Sequence, residues 1–99
     1  MNVTVTSENK AYTFIICGRI DTLTAPELEA KFREIEADAE KVVFDMTEVD
    51  YISSAGMRTI IYVHRAMSEK EGLTLKGLTK NVSTIINLTG FNKILNIEE

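Results

Sequence analysis

The order of apolar segments along the chain predicts an α/β fold, built as one domain over residues 1–99. Three observations support this prediction: a short turn joins the first two strand-like segments, a well-marked amphipathic helix follows them, and strand-like and helical segments then alternate. Repeated strand–helix–strand units give right-handed crossovers and a mainly parallel sheet. A chain of 99 residues supports one hydrophobic core, because domains divide only at greater length. The expected order is β-β-α-β-α-β-α, a mixed sheet of four to five strands with helices packed on it.

The chain begins with a predicted β-hairpin. Residues 2–6 alternate polar and apolar side chains, as a half-exposed strand does. Residues 11–17 are rich in aromatic and β-branched side chains and end at Gly18, which predicts a second strand. Only residues 7–10 separate the two, and so short a connection requires antiparallel pairing because parallel neighbours need a long crossover. The first strand is therefore expected to be an antiparallel edge.

The first helix is predicted from its start signal and its periodicity. Thr24 and Glu27 have the spacing of a capping box, in which each side chain accepts a hydrogen bond from the other residue's amide. Pro26 between them is tolerated, because first-turn amides have no acceptor within the helix. Apolar side chains then recur at helical spacing: Leu28, Phe32, Ile35 and Ala39.

A third strand, a second helix and a fourth strand are predicted next. Residues 41–46 form a short apolar run of the kind found in buried strands, and residues 47–52 are expected to be a loop. The second helix is expected to start near Ser53, with Gly72 as its C-cap residue. Residues 73–78 have the apolar pattern of the fourth strand.

The C-terminal part of the chain predicts a third helix. Thr79 is expected to cap this helix, and Gly90 is expected to end it. Residues 94–97 leave room for a short fifth strand at the end of the chain.

Composition narrows the classes of partner. The chain has eleven basic and fifteen acidic residues and a net charge of −4, with Lys and Arg scattered, so nucleic acid is not an expected partner. Its apolar runs are much shorter than a bilayer-spanning helix, so no membrane insertion is expected. Cys17 is the only cysteine, which excludes an internal disulfide. With no export signal recognised, the expected location is the cytoplasm.

Two segments occupy the positions where binding sites of open parallel sheets gather. Residues 18–21 follow the second predicted strand, and residues 50–56 follow the third. Ligands and partners of such sheets bind at the carboxyl ends of the strands, where loops lead into helices. If both crossovers are parallel, the two segments lie side by side at the same end of the sheet.

Two neighbouring serines, Ser53 and Ser54, stand at the predicted start of the second helix and have two interpretations. A serine hydroxyl there can cap the unpaired amides of the first turn, a structural role worth about 1 kcal/mol. Alternatively, the hydroxyl is open to a partner beside the small residues Ala55 and Gly56, where the start of a helix would tolerate a phosphate. Phosphorylation would add roughly −1.5 to −2 charges to that surface. The residue pattern leaves both interpretations open.

The sequence offers little for catalysis, and we expect that the chain is not an enzyme. Its one histidine, His64, lies ten residues after Ser54 on the same predicted helix. That spacing is about 15 Å along the axis, too far for the imidazole to activate the hydroxyl. No phosphate-binding glycine motif and no Cys/His cluster is present, so neither a cofactor nor a metal is expected. Aspartates near the strand ends are typical of turns: Asp21, Asp45 and Asp50.

Two motifs give the chain a resemblance to a known family. The weaker motif is Gly-Arg-Ile-Asp at residues 18–21, and the more specific one is Tyr-Ile-Ser-Ser-Ala-Gly-Met at residues 51–57. Together, and in this order of elements, they resemble the STAS domain, and within it the stand-alone anti-sigma factor antagonists. The resemblance covers essentially the whole chain, including the late helix stop Leu-Thr-Gly-Phe at residues 88–91.

The resemblance implies a partner switch. Family members of this kind, when dephosphorylated, bind a serine-kinase anti-sigma factor with a GHKL-type ATPase fold and so free a sigma factor. The kinase phosphorylates a serine at the start of the second helix, and a PP2C-type phosphatase restores binding. With Gly56 and Met57 aligned to the family pattern, the phosphorylated position falls on Ser54. The family's aspartate then falls on Ser53 and its second hydroxyl residue on Ala55.

The implied docking surface joins the segment at Asp21, which matches a family aspartate, to the start of the second helix. The residues expected to contact a partner are Asp21, Asp50, Ile52, Ser53, Ser54, Ala55, Gly56, Met57 and Arg58. A different class of protein remains open: a constitutive STAS subunit of a larger assembly, such as a lipid-transport ABC complex. In such a subunit Ser54 would serve only as a helix cap. Nucleotide binding at the same helix start is a third reading, which lacks a phosphate-cradling loop.

Overall fold

The computed structural model describes residues 1–98 and contains, within them, one five-stranded sheet, three α-helices and a single-turn 3-10 helix. The strands are β1 (Asn2–Glu8), β2 (Ala11–Ile20), β3 (Lys41–Ile52), β4 (Gly72–Lys76) and β5 (Asn96–Glu98). The α-helices are α1 (Ala25–Ile35), α2 (Ser54–Ala66) and α3 (Lys80–Thr89), and the 3-10 helix is Phe91–Lys93.

The strands lie in the sheet in the order in which they occur in the chain, β1-β2-β3-β4-β5. β1 pairs antiparallel with β2, and every later neighbour pairs parallel. This arrangement confirms the predicted α/β class, the antiparallel N-terminal edge and the fifth strand. Because each crossover steps one strand in the same direction, right-handed connections place all three helices on the same face of the sheet.

A single hydrophobic core lies between this face and the helices. Along β2, Phe14 and Ile16 are fully buried, whereas Ile15 between them is 37% exposed on the other face. Phe14 packs against Phe44 of β3 with 5.3 Å between ring centroids. Each large side chain buried in this way stabilises the fold by about 1.5–3 kcal/mol. The helices contribute Leu28 and Phe32 from α1, Ile60 and Val63 from α2, and Val82 and Ile86 from α3.

β2 and β3 are longer than predicted, and the expected loop at residues 47–52 is wrong. Those residues continue β3, and β2 extends past Gly18 to Ile20. β3 carries one extra residue opposite β2 in each of two places, and Asp50 is the extra residue at the second. Such bulges twist a strand and redirect its side chains. The polar residues that they accommodate interrupt the apolar alternation, which is why the sequence pattern indicated a loop.

The start of α1 also differs from its prediction. The capping box is wrong, because Thr24 makes no side-chain bond to the first-turn amides. Its hydroxyl instead donates to the Arg19 carbonyl at 2.7 Å and accepts from the Asp21 amide at 2.8 Å. The carboxylate of Asp21 accepts from the amides of Leu23 and Thr24, forming an Asx turn that competes with the capping box for the same backbone.

Of the other helix boundaries, one was wrong and two are confirmed. α2 ends at Ala66, and Gly72 is not its cap but the first residue of β4, with a φ of +93°. Thr79 caps α3 by accepting from the Val82 amide, and Gly90 ends that helix in the left-handed conformation.

Gly56 in the first turn of α2 touches the end of β2. A Cβ atom at this position would lie 2.4 Å from the carbonyl oxygen of Ile20 and 2.9 Å from its Cγ2. The nearer of these two atoms belongs to the backbone and has no rotamer by which to move away. Only glycine therefore lets α2 begin this close to β2.

We expect Gly56→Ala to lower the free energy of unfolding by about 1–3 kcal/mol, the usual cost of forcing extra volume into a packed site. The sign of this change in the free energy of unfolding is informative, because Gly→Ala inside a helix normally stabilises a protein by about 0.5–1 kcal/mol. Urea denaturation followed by circular dichroism measures the difference. Ser54→Ala, at an exposed position of the same turn, is the control and should change stability little. A Gly56→Ala protein as stable as the parent would show that the Ile20 contact is not limiting.

Candidate functional site

The predicted docking surface lies where β2 and β3 end next to each other. Ile20 and Ile52 are paired in the sheet, and the Ser53 amide donates to the Ile20 carbonyl at 2.9 Å. The segment after β2 and the start of α2 are therefore held side by side, as the parallel crossover predicted. The two motifs that are separate in the sequence form one continuous surface.

Ser53 and Ser54 have different roles at the start of α2. Ser53 has extended backbone geometry and is the N-cap, and its Oγ accepts from the Gly56 amide at 3.2 Å. Ser54 is the first residue of the helix, and its side chain is exposed. Among residues 1–98, the Ser54 hydroxyl has no hydrogen-bond partner within the protein. The capping role therefore belongs to Ser53, and the Ser54 hydroxyl is available for chemistry or contact.

Asp21 is fixed by the turn that precedes α1. Hydrogen bonds from the Thr24 backbone, and then from the Leu23 backbone and the Thr24 hydroxyl, hold the pKa of this carboxyl below its ordinary value. Partial burial acts in the opposite direction, and the nearby Arg19 guanidinium, with Nε 3.7 Å from Oδ2, lowers the pKa further. Asp21 is thus a charged, oriented carboxylate at the edge of the surface.

Arg19 and Tyr51 were missed as members of the site. The Arg19 guanidinium carbon lies 4.7 Å from the centre of the Tyr51 ring, in a cation–π contact across β2 and β3. The two residues are register partners in the sheet. Only the strand register brings them together, so neither periodicity nor local spacing could have indicated the pair.

α3 holds the end of β3 from the other side. The Thr79 hydroxyl donates to the Val49 carbonyl at 2.9 Å, and the Asn81 side-chain amide donates to the Asp50 carbonyl at 2.7 Å. These bonds satisfy backbone carbonyls around the second bulge of β3, where the ladder is interrupted. They fix the geometry of the strand that leads into Ser53.

The nine predicted contact residues fall into three groups according to how exposed they are. Asp50, Ser54 and Arg58 are exposed, and Asp21, Ser53 and Ala55 are half-buried. The other three lie inside the protein, where the sequence pattern could not show the direction of the side chains: Ile52 (1% exposed), Met57 (4% exposed) and Gly56. These three support the surface from beneath rather than forming its outer layer.

Two grooves run along α2 from the region of Ser54. The α1–α2 groove, about 460 Å³, is lined by Thr22, Ala25, Pro26, Glu29, Ala30, Arg33, Ala55, Arg58 and Thr59. The α2–α3 groove, about 520 Å³, is lined by Ser54, Met57, Arg58, Ile61, Tyr62, Arg65, Thr89 and Phe91. Arg58 lines both grooves and so stands on the ridge between them.

Residues 1–98 hold no group of three or more His, Cys, Asp or Glu side chains able to bind a metal ion. Over the same residues, no helix is both long enough and apolar enough to cross a membrane. His64 is half-buried on α2, ten residues beyond Ser54.

The division of roles between the serines makes a stability prediction. Ser53→Ala should lower the free energy of unfolding by about 1 kcal/mol, because the Gly56 amide loses its acceptor. Ser54→Ala should stay within about 0.5 kcal/mol of the parent protein, since its side chain is exposed. Parallel urea denaturation curves of the two variants test this. The reverse order of effects would mean that Ser54 is the cap.

The lowered pKa of Asp21 predicts a pH dependence of stability. The ordinary pKa is 3.8, and the folded value lies below it. The stabilisation is therefore complete well above pH 3.8 and is lost as pH falls through the folded pKa. We expect the stability difference between the parent and Asp21→Asn, measured by denaturation from pH 7 to pH 2.5, to shrink at the acid end. A difference that is constant with pH would contradict the assigned bonds.

Comparisons with known proteins agree with this fold. Residues 2–99 match the family model of the STAS domain. The anti-sigma-B factor antagonist of Staphylococcus aureus (strain NCTC 8325 / PS 47) is 22% identical over 101 residues, covering all of this chain and 94% of that protein. The crystal structure of an anti-sigma factor antagonist from Mycobacterium paratuberculosis has a TM-score of 0.87 at 23% identity, covering 97% of this chain and 83% of the other.

A further structural neighbour is recorded in two forms. The anti-sigma factor antagonist SpoIIAA in its unphosphorylated form has a TM-score of 0.78 at 11% identity, covering 99% of this chain and 88% of the other. The phosphorylated form of SpoIIAA, described as a Bacillus cell fate determinant, has a TM-score of 0.76 at 10% identity, covering 99% and 92%. The structural likeness concerns the fold, and the family model covers nearly the whole sequence. The chain therefore belongs to the STAS domain family.

Proposed function

We propose that this STAS domain is an anti-sigma factor antagonist, which binds an anti-sigma factor through the surface around Ser54 and is released when Ser54 is phosphorylated. The partner would be a serine kinase with a GHKL-type ATPase fold, and a PP2C-type phosphatase would restore the binding form. The activity would lie in docking, without catalysis by this chain. Its place of action would be the cytoplasm, where sigma factors act.

One observation carries this proposal: the Ser54 side chain is exposed and its hydroxyl has no hydrogen-bond partner among residues 1–98, while the adjacent Ser53 caps the helix. A kinase can phosphorylate only a serine whose hydroxyl reaches the active site of the kinase. A hydroxyl that is bonded within its own protein must first break that bond. Ser53 would have to give up its bond to the Gly56 amide, whereas Ser54 would give up nothing. The geometry therefore favours Ser54 between the two hydroxyls.

Ser53 also explains how this chain departs from the family pattern without losing its structure. The resemblance places an aspartate at this position, and aspartate and serine are comparable N-cap residues. The Ser53 side chain performs that capping role here. What the substitution removes is a negative charge beside the acceptor serine, so a partner would meet a neutral surface at this point.

A phosphate on Ser54 would change the surface and leave the fold in place. It would add roughly −1.5 to −2 charges at an exposed position, which repels acidic groups and raises the cost of desolvating any interface. The first turn of α2 contains no acidic residue that would repel the phosphate. The fold of SpoIIAA, recorded in both forms, keeps its likeness to this chain in each.

The exposed members of the surface would provide the direct contacts. Asp21 presents an oriented carboxylate on the segment after β2, and Arg58 presents a guanidinium on α2, in the groove that Ser54 also lines. A complementary partner would place a basic group against Asp21 and an acidic group against Arg58. Met57, which is buried, would support these contacts from the floor of the α2–α3 groove.

We expect Ser54→Asp to weaken binding of the anti-sigma factor at least tenfold and Ser54→Ala to retain it, because the aspartate adds negative charge at the centre of the surface. Baits carrying each change would capture partners from host lysate for identification by mass spectrometry. The recovered ATPase would then be titrated against each purified variant. Ser68→Asp is the control, since it adds the same charge at an exposed position two residues after α2 ends.

The outcomes separate the proposal from the constitutive alternative. Loss of a GHKL-type ATPase from the Ser54→Asp bait, but not from the Ser68→Asp bait, supports the switch. Retention of the same partners by every bait, for example transporter subunits, would overturn it and indicate a permanent STAS subunit. Circular dichroism of each variant establishes that any loss is not a loss of folding.

A further inference from the structure

α2 has a charge composition unlike that of the rest of the chain. The whole protein has fifteen acidic against eleven basic residues, yet the thirteen residues of α2 include no Asp or Glu. Its charged side chains are Arg58 and Arg65, and both line the α2–α3 groove. α1, by contrast, carries several carboxylates, one of which is paired with Arg33. α2 is therefore a basic strip on an acidic protein.

Arg58 stands one helical turn after Ser54. Residues separated by four positions on a helix lie on the same side, with roughly 5–6 Å between Cβ atoms. Ser54 and Arg58 line the same groove, and both are exposed. Within residues 1–98, the ion pairs that form do not include Arg58. Its guanidinium is a cation in reach of the Ser54 side chain.

Among residues 1–98, the charged groups that line the grooves beside Arg58 form no ion pair with it. Across the α1–α2 groove the one carboxylate is that of Glu29, which binds Arg33 at 3.0 Å through Nη2 and at 3.1 Å through Nε. In the α2–α3 groove the lining residues are uncharged apart from Arg58 and Arg65. Arg65 lies seven positions after Arg58, eleven after Ser54, and is too distant to serve the same serine.

From this arrangement we infer that Arg58 is the internal counter-ion of phosphorylated Ser54, a role that rests on the proposed phosphorylation of that serine. The guanidinium is a planar donor that binds two phosphate oxygens at once. The order along the helix is also the favourable one, with the anion four residues N-terminal to the cation. The pair would close the end of the α2–α3 groove nearest to Ser54.

This role changes how the switch acts. In the unmodified protein Arg58 is available to an acidic group of the partner, as proposed above. Once Ser54 carries a phosphate, the same guanidinium turns to it and is withdrawn from the docking surface. Release would then result from two local events, the arrival of a negative charge and the capture of a positive one.

The test uses protein in which phosphoserine is placed at position 54 during synthesis, so that no kinase or partner is needed. The second pKa of the phosphate, ordinarily about 6, is read by ³¹P NMR titration. An ion pair with Arg58 favours the doubly charged phosphate, so that pKa should rise by about 0.3 unit or more in Arg58→Gln. Arg65→Gln, at an exposed position of the same helix, is the matched control and should leave it unchanged.

Two results would overturn the inference: the same phosphate pKa in the parent and Arg58→Gln proteins, or an equal rise in both variants. The first would mean that no pair forms, and the second would mean a diffuse effect of net charge. Raising the salt concentration should reduce the Arg58→Gln difference, since exposed pairs are screened. These measurements involve no partner. A result against the Arg58–phosphate pair would therefore leave the proposed docking function standing, and a failure to find docking would leave the measured phosphate pKa values valid.

Discussion

The candidate docking surface of this protein depends on one contact, between the first turn of α2 and the end of β2. The Ser53 amide donates to the Ile20 carbonyl, and the absence of a side chain at Gly56 lets the helix approach that same carbonyl. This contact holds the segment carrying Asp21 against the start of α2. The surface is a consequence of how closely a helix approaches a strand.

Around that contact, most polar groups are committed to structure. The carboxylate of Asp21 accepts from a backbone amide in the turn before α1, and the hydroxyl of Ser53 accepts from an amide in the first turn of α2. The side-chain amide of Asn81 donates to a backbone carbonyl at the second bulge of β3. Ser54 and Arg58 differ because their polar atoms project from a framework that is already complete. A site of this kind can be modified without rearranging the fold, as the proposed switch requires.

The sequence predicted the parts of this structure that depend on periodicity. The spacing of Leu28 and Phe32 identified the buried stripe of α1, and the strand–helix alternation gave the parallel sheet with its antiparallel edge. It failed where two local arrangements compete for the same atoms: Thr24 has the spacing of a capping box, but the turn at Asp21 takes that backbone instead. Burial of Ile52 beneath the site and the contact of Arg19 with Tyr51 follow from strand register, which no single segment encodes. Met57 is buried because of how α2 packs, which its own segment does not encode either.

The sheet order has a consequence for how the chain reaches its fold. Since β1 to β5 lie side by side in the order of synthesis, each new strand adds to the edge left by the one before it. No strand has to be inserted between two that are already paired. Each parallel pairing costs the loop entropy of only one crossover, the one that has just been made. The protein can therefore assemble from its N-terminus as it leaves the ribosome, one βα unit at a time.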